Sequence, residues 1–237
     1  MKKLKIGIIG VGRLGYEHAC NIANRVPGSE LVAIADANFD RAKQVAEELG
    51  VTAVYNDPKA LCADPNVEAV AIITNTASHV EMIKIAMDAG KHVFCEKPLA
   101  DTVEKCKEAE AIIAAHPELT FMLGFMRRYD HSYQVAKKKM ENGDIGDVIL
   151  ARCYSQDPIS IIEGTLEYAP RSGGQFIDMS IHDFALIRWL TGSEVKELWA
   201  TGGCYEFKQY KDWDDGDNVS GLMKMENDAM AFFFAGR

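Results

Sequence analysis

Short apolar runs alternate with charged, helically periodic stretches over the first half of the chain. Leu4–Ile9, Leu31–Ala35, Ala69–Thr74, His92–Cys95 and Phe121–Phe125 read as strands. The stretches between them, about Gly12–Asn24, Phe39–Leu49, Ser78–Ala89 and Thr102–His116, read as helices. Strands that are apolar along nearly their whole length belong to a parallel sheet buried on both faces. The pattern therefore predicts a doubly wound α/β Rossmann domain, in which ligands bind at the carboxyl ends of the strands.

The rhythm changes near residue 124. Val148–Tyr154, Val195–Tyr205, Val219–Met225 and Met230–Phe234 read as strands, and one amphipathic helix over about Gly174–Leu190 is placed between the first two. Glu226-Asn227-Asp228-Ala229 reads as a hairpin turn between the last two. Strands that no longer alternate with helices predict an α+β domain with a mostly antiparallel sheet. The expected division is 1–124, a dinucleotide-binding domain, and 125–237, a domain for substrate and oligomerisation.

Composition narrows the function more than the fold. Across 237 residues, 26 Lys and Arg face 35 Asp and Glu, a formal charge of −9. With no basic block, neither nucleic acid nor an anionic membrane is an expected partner. No apolar run approaches the ~18 residues of a membrane span, and the N-terminal apolar run is broken by Gly7, Gly10, Gly12 and Arg13, unlike a signal peptide. The six scattered cysteines form no C-x-x-C and no metal-ligand spacing, so free thiols in the cytoplasm and no metal site are expected.

Gly10-Val11-Gly12-Arg13-Leu14-Gly15 follows a strand and opens a helix. The first glycine suits a tight turn, the second a close approach of pyrophosphate to backbone, the third close packing of helix on strand. The helix N-terminus then offers unpaired N–H groups to the anion. Asp36, at the end of the second strand, suits a ribose 2′,3′-diol and would repel a 2′-phosphate, which favours NAD over NADP; it could equally cap a helix, as could Asn38. Thr74 and Asn75 end another strand, where a polar end would lie on the nicotinamide side, or serve only as turn and cap with Ser78. His18 and His79 sit on helices near this edge, where a packing role is favoured over a catalytic one.

A third group of residues suggests alcohol oxidation. Glu96-Lys97-Pro98 follows a strand, and Asp178 and His182 stand four residues apart on what reads as one helix face. An imidazole with an ordinary pKa near ~6.5 suits a general base. A carboxylate can orient it or stabilise its cation, and an ammonium can stabilise a developing alkoxide. A solvated lysine and an ordinary i, i+4 surface pair are the plain alternatives.

Together with Gly124-Phe125-Met126-Arg127-Arg128-Tyr129-Asp130 and Ser172-Gly173-Gly174…Asp178…His182-Asp183, these motifs resemble the glucose–fructose oxidoreductase / inositol dehydrogenase family, most closely its inositol 2-dehydrogenase branch. The resemblance runs over essentially the whole chain. It implies NAD(P)-dependent oxidation of a cyclic polyol or sugar, with Lys97, Asp178 and His182 catalytic and a cis peptide before Pro98. Cofactor contacts are expected from Gly10, Gly12, Arg13, Leu14, Gly15, Asp36, Thr74, Asn75, His79, Glu96 and Lys97. Substrate contacts are expected from Lys97, Arg127, Asp157, Asp178 and His182. A rival reading is a dinucleotide-binding sensor without turnover; another is a dehydrogenase for a different sugar or an amino- or keto-inositol.

The chain departs from the family pattern at several points. Ala185 stands where a further Asp is common, Gln156 where an Arg is common, and Thr74-Asn75 where Thr-Pro is usual. The first two changes suggest an altered substrate preference or weakened polyol binding, rather than lost hydride chemistry. The chain also looks truncated, since relatives extend the second sheet further. A sheet ending after Phe232-Phe233-Phe234 is expected to expose an edge and apolar surface there, which either is covered by another copy of the chain or leaves the protein poorly stable.

Overall fold

The computed structural model describes residues 2–237. It divides into two compact units, one ending at Gly124 and one running from Phe125 to Arg237.

In the first unit the elements follow in the order β1 (Leu4–Ile9), α1 (Arg13–Asn24), β2 (Ser29–Ala35), α2 (Phe39–Leu49), β3 (Ala53–Tyr55), α3 (Pro58–Ala63), β4 (Ala69–Ile72), α4 (His79–Asp88), β5 (His92–Cys95), α5 (Val103–Ala114) and β6 (Phe121–Leu123). All six strands are parallel, in the order β3-β2-β1-β4-β5-β6. The order reverses between β1 and β4, the place where a doubly wound sheet opens a crevice at its carboxyl end. The apolar runs are buried because helices cover the sheet. Ile9, Ile72, Val93 and Cys95 pack into one core layer with α4, and Ile8, Ile34 and Ala71 into another with α1 and α2.

The helix starts have local causes. Asn38 caps α2 by accepting from the Arg41 amide, Asp57 caps α3, and Thr102 caps α5. Asn38, not Asp36, is therefore the cap of α2. Ser78 makes no side-chain cap at α4; its hydroxyl donates to Thr74 Oγ1 and the Asn75 carbonyl, and a short 3₁₀ turn over Thr76–Ser78 leads into the helix. Strand β4 stops at Ile72, two residues before the expected Thr74, and β6 at Leu123. The Lys97-Pro98 peptide is cis.

The second unit contains α6 (His131–Glu141), β7 (Leu150–Gln156), α7 (Ile162–Tyr168), α8 (Gln175–Asp178), α9 (Ile181–Thr191), β8 (Val195–Gly203), β9 (Asn218–Met225) and β10 (Met230–Gly236). Its sheet runs β7-β10-β9-β8, with β10 antiparallel to β9, β9 antiparallel to β8, and β10 parallel to β7. The β9–β10 hairpin turns over residues 226–229, with Asp228 at φ 62°. One face of this sheet packs Ala231, Phe233 and Met223 against Leu186 and Ile187 of α9, with Phe184 and Phe176 edge-on to Phe233.

Two expectations are overturned here. The strand ending in Phe232-Phe233-Phe234 is not an edge: β10 is hydrogen-bonded on both sides, Phe233 is fully buried, and the edge strands are β7 and β8. The single helix over Gly174–Leu190 is two, α8 and α9, separated at Met179 and Ser180. The amides of both Met179 and Ser180 bond to the Gln175 carbonyl, and the His182 amide bonds to that of Met179 rather than of Asp178. Asp178 and His182 thus stand on successive helices, and the one-face argument from i, i+4 spacing does not apply.

Candidate active site

The residues singled out in the first unit gather at the carboxyl ends of β1, β2 and β4. Gly10, Gly12, Asp36, Thr74, Asn75 and Ser78 line one cleft of about 460 Å³. The glycines have separate physical reasons. Gly10 adopts φ +91°, and a Cβ there would lie 2.6 Å from the Ile73 carbonyl oxygen. A Cβ on Gly15 would come within 2.0 Å of the Gly10 carbonyl oxygen, so only glycine allows α1 to start this close to the turn. Around Gly12 nothing lies within 4 Å of a built Cβ, so this backbone is open to a ligand. Gly12 caps α1 without any side-chain bond, and the first turn carries no acid, which leaves the helix N-terminus free to meet an anion. Arg13 and Leu14 form that first turn and are exposed, Leu14 to 48%.

Asp36 is committed to the loop it borders. One oxygen accepts from the Val11 amide at 2.8 Å and the other from the Asn38 amide at 2.8 Å. Each carboxylate oxygen retains a second lone pair for a hydroxyl. An open backbone at Gly12, an uncapped helix start and a fixed carboxylate form a donor and acceptor set that fits a dinucleotide.

Glu96 and Lys97 follow β5. Glu96 accepts from the Lys97 amide at 3.0 Å and pairs with His18 at 2.9 Å. Burial alone would raise the Glu96 carboxyl; the His18 hydrogen bond and charge, helped by Lys97, outweigh it and hold the group below its ordinary range. His18 therefore holds the turn that presents Lys97. His79 is 1% exposed, with Nδ1 facing the Pro98 carbonyl at 2.8 Å and Nε2 facing that of Thr74 at 3.3 Å. Burial, partly offset by these carbonyls, pushes its pKa down. Such an imidazole braces Thr74 and the Lys97-Pro98 turn from below and does not reach into the cleft.

In the second unit the candidates fall into two clusters. Arg127 donates to Asp183 and, at 2.7 Å, to Ser155; Ser155 in turn donates to the same Asp183 oxygen at 2.8 Å. Asp183 is fully buried. Arg127 is thereby tied to an internal ion pair joining β7 to α9, which occupies part of the donor capacity expected to meet substrate.

The other cluster is centred on Arg237, which the sequence reading passed over. Its guanidinium bonds Gln175 Oε1 at 2.6 Å, Asp157 Oδ2 at 3.0 Å and Asp178 Oδ2 at 2.6 Å. Two of the expected substrate or catalytic carboxylates are thus brought together by one cation. Burial would lower the guanidinium, but the Asp178 hydrogen bond and charge prevail and keep it above its ordinary value. A lone arginine closing an apolar strand was the available signal. Gln156 ends β7 with its side chain exposed, and Ala185 is buried at 7%, so a carboxylate at position 185 would enter the core of this unit.

These features define a Rossmann nucleotide-binding unit joined to an α+β unit that carries paired carboxylates and a histidine. The chain belongs to the oxidoreductase family with an NAD-binding Rossmann fold, whose model matches residues 4–125, and the GFO/IDH/MocA C-terminal domain matches residues 133–237. It is 37% identical to a myo-inositol 2-dehydrogenase of Thermotoga maritima, over 96% of this chain and 66% of that protein. It is 38% identical to an uncharacterized oxidoreductase of Bacillus subtilis, YrbE, over 97% and 66%. Among solved structures, scyllo-inositol dehydrogenase from Lactobacillus casei with bound NAD(H) and scyllo-inositol matches all of this chain and 70% of its own, with a TM-score of 0.94 and 39% identity. The chain spans about two thirds of the length of the curated relatives it matches.

Proposed function

We propose that this chain forms an NAD-dependent dehydrogenase that oxidises a secondary alcohol of a cyclic polyol of the inositol class. Support comes first from the open cradle at Gly12, set between an uncapped helix start and the Asp36 carboxylate. The names of its relatives point the same way. Gly10, Gly12, Gly15 and the first turn at Arg13 and Leu14 would hold the pyrophosphate, Asp36 the adenosine ribose, and Thr74, Asn75 and the Glu96-Lys97 turn the nicotinamide end. His79 supports that end from beneath. NAD, when bound, supplies the hydride acceptor. His182 takes the hydroxyl proton, Asp178 balances the imidazolium that results, and Lys97 donates to the reacting oxygen as its negative charge grows. Asp157 and Arg127 orient the remaining hydroxyls.

The sensor without turnover is the weaker reading, because nothing in a pure nucleotide holder calls for a carboxylate pair held by one buried cation in the second unit. Exposed Leu150, Tyr154, Trp199, Leu222 and Met230 on the second unit's sheet favour a homo-oligomer. The six free cysteines favour a reducing compartment such as the cytoplasm. No helix among the described residues is long and apolar enough to cross a membrane.

The test is to mix the protein with NAD and a panel of inositols and to follow reduced nicotinamide by absorbance. Turnover of at least one inositol is expected, with Lys97→Ala and His182→Ala each reducing kcat by about 100-fold or more. Tight NAD binding with no turnover across the panel would favour the sensor. Unchanged activity in either variant would remove that residue from the mechanism.

A further inference from the structure

Arg237 closes β10 directly beside the end of β7, where Gly236 pairs with Gln156 and the Asp157 amide bonds to the Gly236 carbonyl. Its backbone is fixed as well, since its amide donates to the Asp217 carbonyl at 2.9 Å. Its side chain, 5% exposed, uses Nε, Nη1 and Nη2 on three different partners. A guanidinium has the planar fork needed to span two carboxylates and an amide at once, which an ammonium lacks. The other titratable groups of this neighbourhood include Tyr210, whose phenol feels Arg237, Asp157 and Asp178; Asp215, which accepts from the Gln175 amide; Asp217, whose carbonyl accepts from the Arg237 amide; and His182, on the helix that follows Asp178. Tyr210 is fully buried, and burial first, then the carboxylates of Asp215, Asp157 and Asp178, hold its phenol above the ordinary value against Arg237, so it stays neutral.

We propose that Arg237 is a positioning residue of the proton-transfer pair: it clamps Asp178 in place and offsets one of two adjacent negative charges. The inference rests on the dehydrogenase reading given above. With the clamp, Asp157 and Asp178 carry one net negative charge, which the imidazolium of His182 would neutralise when it takes the substrate proton. Without it, two uncompensated carboxylates would favour the protonated form of the Asp178–His182 pair before substrate arrives. The base would then be spent at neutral pH. The sign is fixed: removing Arg237 moves the acid limb of the pH–rate profile up, and removing the Asp157 charge moves it down.

The deciding experiment compares pH profiles of kcat for the wild type, Arg237→Met, Arg237→Lys and Asp157→Asn. Arg237→Met is expected to raise the acid limb by about one pH unit and thereby to lower kcat on that limb by up to about tenfold, leaving the KM for NAD in place. Arg237→Lys should restore part of both, and Asp157→Asn should lower the limb. A purely structural arginine would reduce kcat without displacing the limb in opposite directions, and superimposable profiles would overturn the proposal. If Arg237→Met does not fold, the Asp157→Asn and Arg237→Lys arms decide on the same criterion. Carbon-13 NMR titration of the Asp178 carboxyl, assigned by its loss in Asp178→Asn, needs no turnover. Its midpoint should rise in Arg237→Met and fall in Asp157→Asn, and an unmoved midpoint overturns the clamp. A wild type inert toward every polyol, with the midpoint moving as stated, would instead sink the dehydrogenase reading and leave the clamp standing.

Discussion

Gly12 and Gly15 sit three residues apart in one motif, yet they answer to different demands. Gly15 is required by the protein itself, since a Cβ would press within 2.0 Å of the Gly10 carbonyl oxygen and the obstacle is backbone, which cannot swing away. Gly12 meets nothing within 4 Å, and its φ of −63° suits any residue. Gly15→Ala is therefore expected to lower stability by about 1–3 kcal/mol, visible as a fall in Tm, and to weaken NAD binding along with it. Gly12→Ala is expected to leave Tm unchanged and still weaken NAD binding by about tenfold or more, read by calorimetric titration, because the methyl occupies the space a pyrophosphate needs. Equal NAD affinity in Gly12→Ala and wild type would show that the loop holds no pyrophosphate. This part of the site was legible in the sequence because turn, strand and helix are adjacent along the chain. The Arg237 cluster was not: its bonds to Asp178 and Asp157 span 59 and 80 residues, and only the pairing of β10 with β7 brings them together.

Elements were legible where periodicity and length agreed. Strands β1, β2, β4, β5 and β6 of the first unit are nearly continuous apolar runs, and their bounds lie close to those the pattern predicts. The three-residue β3 and six-residue α3 are too short for any period to show. The break between α8 and α9 was hidden for another reason: neither Met179 nor Ser180 is a helix breaker, and the chain is turned there by the tightened bonds to Gln175. The loop between β8 and β9 shows a similar long-range cause. Asp217, fully buried, accepts from the amides of Tyr205, Glu206 and Phe207 and from the Asn218 side chain, gathering the start of the loop around one carboxylate. Replacing it by Ala would leave those donors without an acceptor, at a cost of about 1–3 kcal/mol for each that stays dry. Asp217→Ala is accordingly expected to lower the unfolding free energy by about 3 kcal/mol in urea denaturation followed by tryptophan fluorescence, with Trp213 in this loop as a reporter. Retention of wild-type stability would mean that water takes over the acceptor role.

On the scale of the whole molecule, each unit holds a carboxylate as a structural anion, fully buried at Asp217 and half-buried at Glu96. Burial would raise both Asp217 and Glu96; the surrounding amides outweigh it at Asp217, and His18 with Lys97 at Glu96, so both fall below their ordinary values. Partly exposed Asp64, Glu68 and Asp101 are lowered as well, by an amide at Asp64 and by lysines at Glu68 and Asp101. For a group whose folded pKa is depressed, the stabilisation is complete above its unfolded pKa, near ~4 for a carboxylate, and is lost as pH falls through the folded value. Stability should therefore ease below pH ~6.5, where His79 of the unfolded chain takes up a proton that the buried imidazole resists, and fall further below about 5 as the carboxylates protonate. Among the carboxylates the steepest loss belongs to Asp217, because its protonation weakens hydrogen bonds to several donors at a fully buried position. Comparing Tm against pH for wild type and Asp217→Asn isolates one of them. The variant should be less stable at neutral pH and show a shallower acid decline, since it has no charge at that position left to lose. Parallel curves would place the acid sensitivity elsewhere and reduce the Asp217 carboxylate to a hydrogen-bond acceptor whose ionisation adds nothing to the fold.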